Sequence, residues 1–230
     1  MMVRVIPFGA LKDWLGAPER AVELPEGATV AELLTRLNES NRIPLYRGFA
    51  ISVNAEFSSA SHLLHDGDEV GLLPPVSGGV GAGLEGSTTL TNAPIDAAKI
   101  IADAKHGEDG AVVVFDGIVR NETRGRQTLY LDYEAYEEMA ARQMDELARQ
   151  ARSQFGVRHV TIVHRLGRLQ IGESSVLIVV ASAHRGQAFD ACHWLIDTLK
   201  TTVPIWKRET FIDGAVWADG EPFPPGLAVD

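Results

Sequence analysis

Apolar residues along the first third of the chain fall in short clusters whose period changes. Val3–Phe8 is a β-rich run, and Ala21–Leu24 is a second, shorter one. From Thr29 the spacing becomes helical, with Val30, Leu33, Leu34 and Leu37 on one face. Thr29-x-x-Glu32 opens that helix as a capping box, in which each side chain satisfies a free backbone N–H of the first turn. Strand patterns return at Phe49–Val53 and Glu69–Leu73, the second entered through the turn His65-Asp66-Gly67-Asp68. The order β-β-α-β-β describes a small sheet crossed by one helix.

The pattern breaks near residue 80. Ser77–Ser87 reads SGGVGAGLEGS, which cannot bury much, and the polar TTLTNAP follows it. We read residues 80–92 as a flexible Gly-rich linker between domains at 1–79 and 93–230. Beyond it, Ala111–Arg120 and Thr128–Tyr136 are expected strands. Glu137–Phe155 is a helix with Ala140, Met144, Leu147, Ala148, Ala151 and Phe155 on one face. Strands follow at His159–His164 and Ser175–Ala183. A second helix runs over about 186–202, its apolar face made by Phe189, Cys192, Leu195, Ile196 and Leu199. Pro204 ends it, and Ile205–Ile212 is a last strand. The second domain is therefore expected to be α+β with mostly antiparallel pairing.

Composition narrows the function classes. The chain is 45% hydrophobic and 23% charged, ordinary for a globular protein, and its net charge is −10. Nucleic acid and anionic membranes favour basic surfaces, so neither is an expected partner. No apolar run approaches a membrane span, and the first residues lack a signal-peptide pattern. Cys192 is the single cysteine, which excludes an internal disulfide and a Cys-rich zinc site. It falls on the apolar face of its helix and reads as a core residue. The seven histidines make no HExxH or similar spacing, so no metal site is expected. A reducing cytoplasm is the simplest compartment.

Two features carry chemistry. The last strand of the first domain runs into Pro74-Pro75-Val76-Ser77-Gly78-Gly79. Prolines hold that tail extended, and the two glycines leave its tip thin enough for a narrow channel. Residues 74–79 reach roughly 20 Å when extended. By itself Gly78-Gly79 also fits the start of the linker. No Lys-Ser/Thr follows the glycines, so they are not a P-loop. The second feature is a set of cations in a domain that holds 15 Lys and Arg against 21 Asp and Glu over residues 80–230. Arg120, Arg124 and Arg126 follow a strand. His184-Arg185-Gly186 sits at an expected helix N-terminus, where backbone N–H groups and a guanidinium suit a phosphate. Lys200, Lys207 and Arg208 bracket the Pro204 turn. Lys200 and His184 lie at opposite ends of one helix. They share a site only if other elements or another subunit bring them together.

Residues 1–79 resemble the small subunit of molybdopterin synthase, on Phe8-Gly9, Asp66-Gly67-Asp68-Glu69-Val70 and the ending Pro-Pro-Val-Ser-Gly-Gly. Residues from about 93 to 217 resemble the large, catalytic subunit. The matching blocks are Phe115-Asp116-Gly117-Ile118-Val119-Arg120-Asn121, Leu131–Tyr136, Ile162–Gly167, Ala183-His184-Arg185, Ala191–Asp197, and Leu199-Lys200 followed by Val203–Glu209. The resemblance implies a ubiquitin-like β-grasp carrier fused to an α+β catalytic domain. It implies sulfur transfer from a carrier glycine thiocarboxylate to cyclic pyranopterin monophosphate, forming the molybdopterin dithiolene. No tightly bound cofactor is implied. Arg120, His184 and Arg185 are expected to line the substrate pocket, with Phe115 as a wall or a core residue. Lys200 is expected to meet the carrier tip, assisted by Lys207. The implied partners are an adenylating, sulfurating activating enzyme and a second copy of the chain.

The sequence departs from the family in two places. Gly79 is joined to Val80, and an amide carbonyl cannot carry a thiocarboxylate. A protease cutting after Gly79 is therefore expected. The alternative is an uncut carrier domain acting as a scaffold, with sulfur from a separate carrier. After Arg208 there is no Lys or Arg, where family members often have one. The pocket either manages without it or uses Arg124 or Arg126.

Overall fold

The computed structural model describes residues 1–40, 49–75, 88–218 and the strand at 228–229, without the side chains of 39, 40, 228 and 229. It divides into two compact units, one of residues 1–76 with 219–230 and one of residues 77–218.

In the first unit, alternation in β1 (Met2–Pro7) turns Val3 and Val5 into the core. β1 pairs antiparallel with β2 (Arg20–Glu23) and parallel with β5 (Glu69–Leu73), whose other neighbour is β3 (Phe49–Val53). The sheet order β2-β1-β5-β3 has a parallel pair at its centre. Val30, Leu33 and Leu37 of α2 (Val30–Ser40) join Val3, Val5, Ile51 and Leu72 in one core. This is the β-grasp arrangement the sequence implied. The capping box forms: the Thr29 N–H donates to Glu32 Oε2 at 2.7 Å, and the Glu32 N–H to Thr29 Oγ1 at 3.3 Å. A short helix, α1 (Leu11–Leu15), was not expected. It buries Leu11 and Leu15 and stops at Gly16, whose φ of 70° is the left-handed turn that glycine adopts at little cost. β3 is bordered outside by β4 (Glu56–Ser58) and by a strand from the end of the chain, Ala228–Val229. The sequence reading ran the second domain to residue 230, whereas this last strand belongs to the first unit.

The second unit begins with β6 (Thr88–Thr91), which corrects the linker reading at that point. Its polar threonines are β-formers that pair parallel with β10 (His159–Arg165), and Thr88 Oγ1 donates to Asp145. Residues 80–87 lie outside the described ones. The helix α3 (Ala97–Ala104) was also missed; Asp96 caps it by accepting the Lys99 N–H at 3.0 Å. β7 (Ala111–Ile118) follows. β8 (Glu122–Thr123) and β9 (Arg126–Ala135) form a hairpin across Arg124-Gly125, both at positive φ. After α4 (Glu137–Phe155) and β10 come β11 (Gly167–Gln170), β12 (Ser174–Ser182) and α5 (Arg185–Thr202). β13 (Ile205–Phe211) and β14 (Gly214–Trp217) complete the unit. One sheet runs β6-β10-β12-β7 and a second β11-β9-β13-β14, antiparallel throughout except for β6 with β10. α3 packs Ile100 and Ile101 against Leu177 and Val179 on one face of the first sheet. α4 and α5 pack together and against that sheet's strands.

One expected core residue is not in the core. Phe189 is 61% exposed, while Cys192, Leu195, Ile196 and Leu199 are buried as expected. The buried face of α5 begins at Ala188, one position earlier than the large residue suggests, and turns Phe189 outward.

His164 in β10 is fully buried, with its ring edge-on to Tyr133 at 5.1 Å between centroids. Its Nδ1 lies 3.0 Å from the Arg165 carbonyl, which only accepts, so the hydrogen sits on Nδ1. Burial pushes the imidazole down to about 4. A group depressed in the folded state opposes folding once the unfolded chain starts to bind its proton. Stability falls as pH drops from about 6.5 towards 4. Between pH 7 and pH 5 this one residue should cost about 2 kcal/mol. Urea unfolding at those two pH values should show a difference smaller by that amount in His164→Phe than in the unaltered protein.

Candidate functional site

The candidate cations are distributed by one β-strand and one helix. β12 ends at Ser182, and only Ala183 and His184 separate it from α5. The His184 N–H reaches Ser182 Oγ at 3.4 Å, and Ser182 Oγ lies 3.4 Å from Gln187 Oε1, so the helix start is tied to the strand end. His184 and Arg185 are exposed there, beside the free N–H groups of the first turn. α5 then runs unbroken to Thr202. Lys200, exposed in its last turn, lies about 22 Å from Arg185 along the axis.

Arg120 is also far from His184. Ser182 pairs with Ala111 at one end of β7, and Ser174 pairs with Ile118 at the other. Those ends are about 23 Å apart. Arg120 follows Ile118 and is exposed, whereas His184 follows Ser182. Phe115, midway along β7, is half-buried opposite Ile178, and its backbone faces the Cys192 thiol. The neighbouring Gly117 is required by packing. A Cβ there would lie 2.7 Å from Val176 Cγ1 and 3.2 Å from the Phe115 ring.

Val119 packs with Leu131 and Leu169, against which Tyr133 also packs. Leu131 is paired with Glu209 and Tyr133 with Lys207, so this contact sets Arg120 beside the face of the second sheet that carries Lys207. Lys200 precedes Lys207 by seven residues across the Val203-Pro204 turn. Val119, the residue before Arg120, is thus seated on the sheet face that carries Lys207, while His184 and Arg185 lie at the far end of the first sheet.

Glu209 gained no role from the sequence, yet it is the partner of Lys207. The Lys207 Nζ lies 3.1 Å from Glu209 Oε1, and the carboxylate is 3% exposed. Its Oε2 is buried with no hydrogen-bond partner among the described residues. A buried acceptor left open beside an ammonium is a place where a ligand donor would be satisfied. The alternation Lys207-x-Glu209 in a strand was the available signal, since residues two apart share a face.

Arg126 is already engaged. It donates to Asp213 at 2.7 Å and stacks 3.9 Å from the centre of the Phe211 ring. Arg124 sits at the hairpin tip. Burial pushes the Cys192 thiol up to about 11, so it is protonated near neutrality and is a poor nucleophile. Among the described residues no group of His, Cys, Asp and Glu is arranged to hold a metal, and no helix is long and apolar enough to cross a membrane. Gly78 and Gly79 lie outside the described residues.

Comparison with known proteins falls along the same division. The ThiS family model matches residues 5–79, and the MoaE protein family model matches residues 90–202. The molybdopterin synthase catalytic subunit of Nostoc is 46% identical over 133 residues, spanning 57% of this chain and 81% of that protein. Among solved structures, molybdopterin synthase from Staphylococcus aureus is 39% identical with a TM-score of 0.54, over 56% of this chain and 94% of that one. A complex of subunits 1 and 2 of molybdopterin-converting factor from Helicobacter pylori matches over 61% of this chain and 97% of that one, at 26% identity and a TM-score of 0.51. With most of the Nostoc protein's length matched at that identity, the chain belongs to the family of molybdopterin synthase catalytic subunits and carries a ThiS-family domain ahead of it in the same polypeptide.

Proposed function

We propose that this chain is a sulfur-transferring molybdopterin synthase that encodes its own carrier. The observation that carries the reading is the pairing of a ThiS-family domain with a MoaE-family domain in one polypeptide. Gly79, freed by a protease and activated by an adenylating and sulfurating enzyme, would present a thiocarboxylate. The second domain would pass that sulfur to cyclic pyranopterin monophosphate. The position of β5 supports this role: it lies between β1 and β3, so the Pro74-Pro75 tail leaves from the middle of a rigid sheet. A cytoplasmic location fits a single thiol that stays reduced.

In this reading Lys200 meets the carrier tip and moves a proton or captures the acyl group. Lys207, held by Glu209, assists it. Arg120, His184 and Arg185 hold the phosphate and pterin, with Phe115 near them. The separation of Lys200 from Arg185 favours a homodimer, in which the second copy brings His184 and Arg185 to the site. Among the described residues β7 is the outermost strand of its sheet, and Val114 at 39% and Ile118 at 56% exposure, with Asp116 between them on the same face, leave a surface available for such contacts.

Intact mass spectrometry of the protein from its host should find a fragment ending at Gly79 with one terminal oxygen replaced by sulfur. Finding the uncut chain alone would favour the scaffold alternative with an external carrier. Lys200→Ala should lower sulfur transfer at least a hundredfold with an unchanged circular dichroism spectrum. Mixing Lys200→Ala with His184→Ala chains should restore activity through mixed dimers that hold one intact site. No restoration would place the two residues in the same copy's site or outside it. Cys192→Ala should keep turnover within about threefold of the parent, because a buried neutral thiol takes no part in the transfer.

A further inference from the structure

β3 has two edges. β5 fills one along its length. On the other, β4 reaches only Ile51, Ser52 and Val53, through Ser58, Phe57 and Glu56. Phe49 and Ala50 lie beyond that cover, and a bare strand edge is a template for another strand. The chain fills the gap itself. β15, the strand Ala228–Val229, pairs antiparallel with it, Ala228 opposite Ala50 and Val229 opposite Phe49. The tail's composition suits this register. Pro222, Pro224 and Pro225 have no N–H to give to a ladder, and the pairing starts three residues after the last of them. Gly226–Val229 carries no charge that would resist addition to the edge.

The connectivity gives the pairing its meaning. The chain leaves the first unit after Val76, builds the second, and returns to the first from Asp219. We infer that the β3 edge at Phe49–Ala50 is a second docking point for the carrier, occupied by a strand from the catalytic domain's own C-terminal tail. The purpose rests on the proposed cut after Gly79; the pairing itself is main-chain bonding and needs no sulfur chemistry. In the uncut chain the contact is intramolecular and favoured by a high effective concentration. After the cut, two residue pairs alone are too little bonding to hold two separate polypeptides at micromolar concentration. Combined with the carrier tip in the catalytic pocket, the same pairs multiply the affinity, because the second contact then forms within an existing complex. The carrier would be held at both its tip and its sheet edge.

The test uses the full chain, with a recognition sequence for a specific protease placed between Val80 and Ser87, nicked after purification. In an antiparallel pair one of two successive residues points its N–H at the partner, so the double variant Ala228→Pro with Val229→Pro removes that donor whichever it is. Dilution of the nicked proteins, followed by native mass spectrometry, should show the proline variant separating at a concentration at least tenfold higher than the parent, because its dissociation constant is at least tenfold larger. In the un-nicked chain, amide exchange at the outward-facing member of Phe49 and Ala50 should be at least tenfold faster in the variant. Equal dissociation constants, or unchanged exchange at both amides, would overturn the docking point. Neither readout depends on sulfur transfer, so failure of the synthase reading would leave both interpretable.

Discussion

The continuity of α5 constrains the whole second unit. Its start is tied to Ser182 through two contacts of 3.4 Å, and it runs eighteen residues without a break before Val203 turns the chain into β13. A helix of that length is a rigid spacer. It decides that a cation at its first residue and one in its last turn belong to different neighbourhoods of a single copy. The β12–β7 ladder repeats the separation, setting His184 and Arg120 at opposite ends of the same two strands. What the second sheet adds is local: Val119 packs on Leu131 and Leu169, and Lys207 lies on the same sheet face with a buried carboxylate for company.

The first unit answers a different requirement. A carrier tail must leave its domain in a fixed direction. Parallel pairing of β1 with β5 puts the strand that bears the tail at the centre of the sheet, where neighbours on both sides fix it. Peripheral strands fray; central ones seldom do. At the β3 side of the sheet the outer edge is covered by two short segments from different parts of the chain.

Much of this was legible in the sequence, for physical reasons that differ by element. Long helices announced themselves through repeated apolar positions, as α4 did with Ala140, Met144, Leu147, Ala148 and Ala151, all buried. The capping box at Thr29 was readable because its two side chains lie three positions apart in sequence and bond each other. Short elements were not. Thr88–Thr91 has no apolar alternation, and only pairing with β10, some seventy residues on, makes it a strand. Ala228–Val229 is likewise defined by a partner near residue 50. Phe189 misled because size suggested burial where the helix phase did not allow it. At the candidate site, residue types and motif blocks pointed to Lys200, Lys207, Arg120 and His184. Their grouping depended on helix length and strand register, which no single stretch of sequence displays.

The state of Cys192 bears on a hazard that any sulfur-handling protein faces. Labile sulfur held as a thiocarboxylate is lost to whatever soft nucleophile or oxidised thiol it meets. This chain has one thiol, shut inside a helix–sheet contact and held in its neutral form by burial. It offers neither a thiolate to intercept the cargo nor a partner for a mixed disulfide. Sulfur passing through such a chain would then meet no competing thiol of the chain itself, and one side branch of its traffic would be closed.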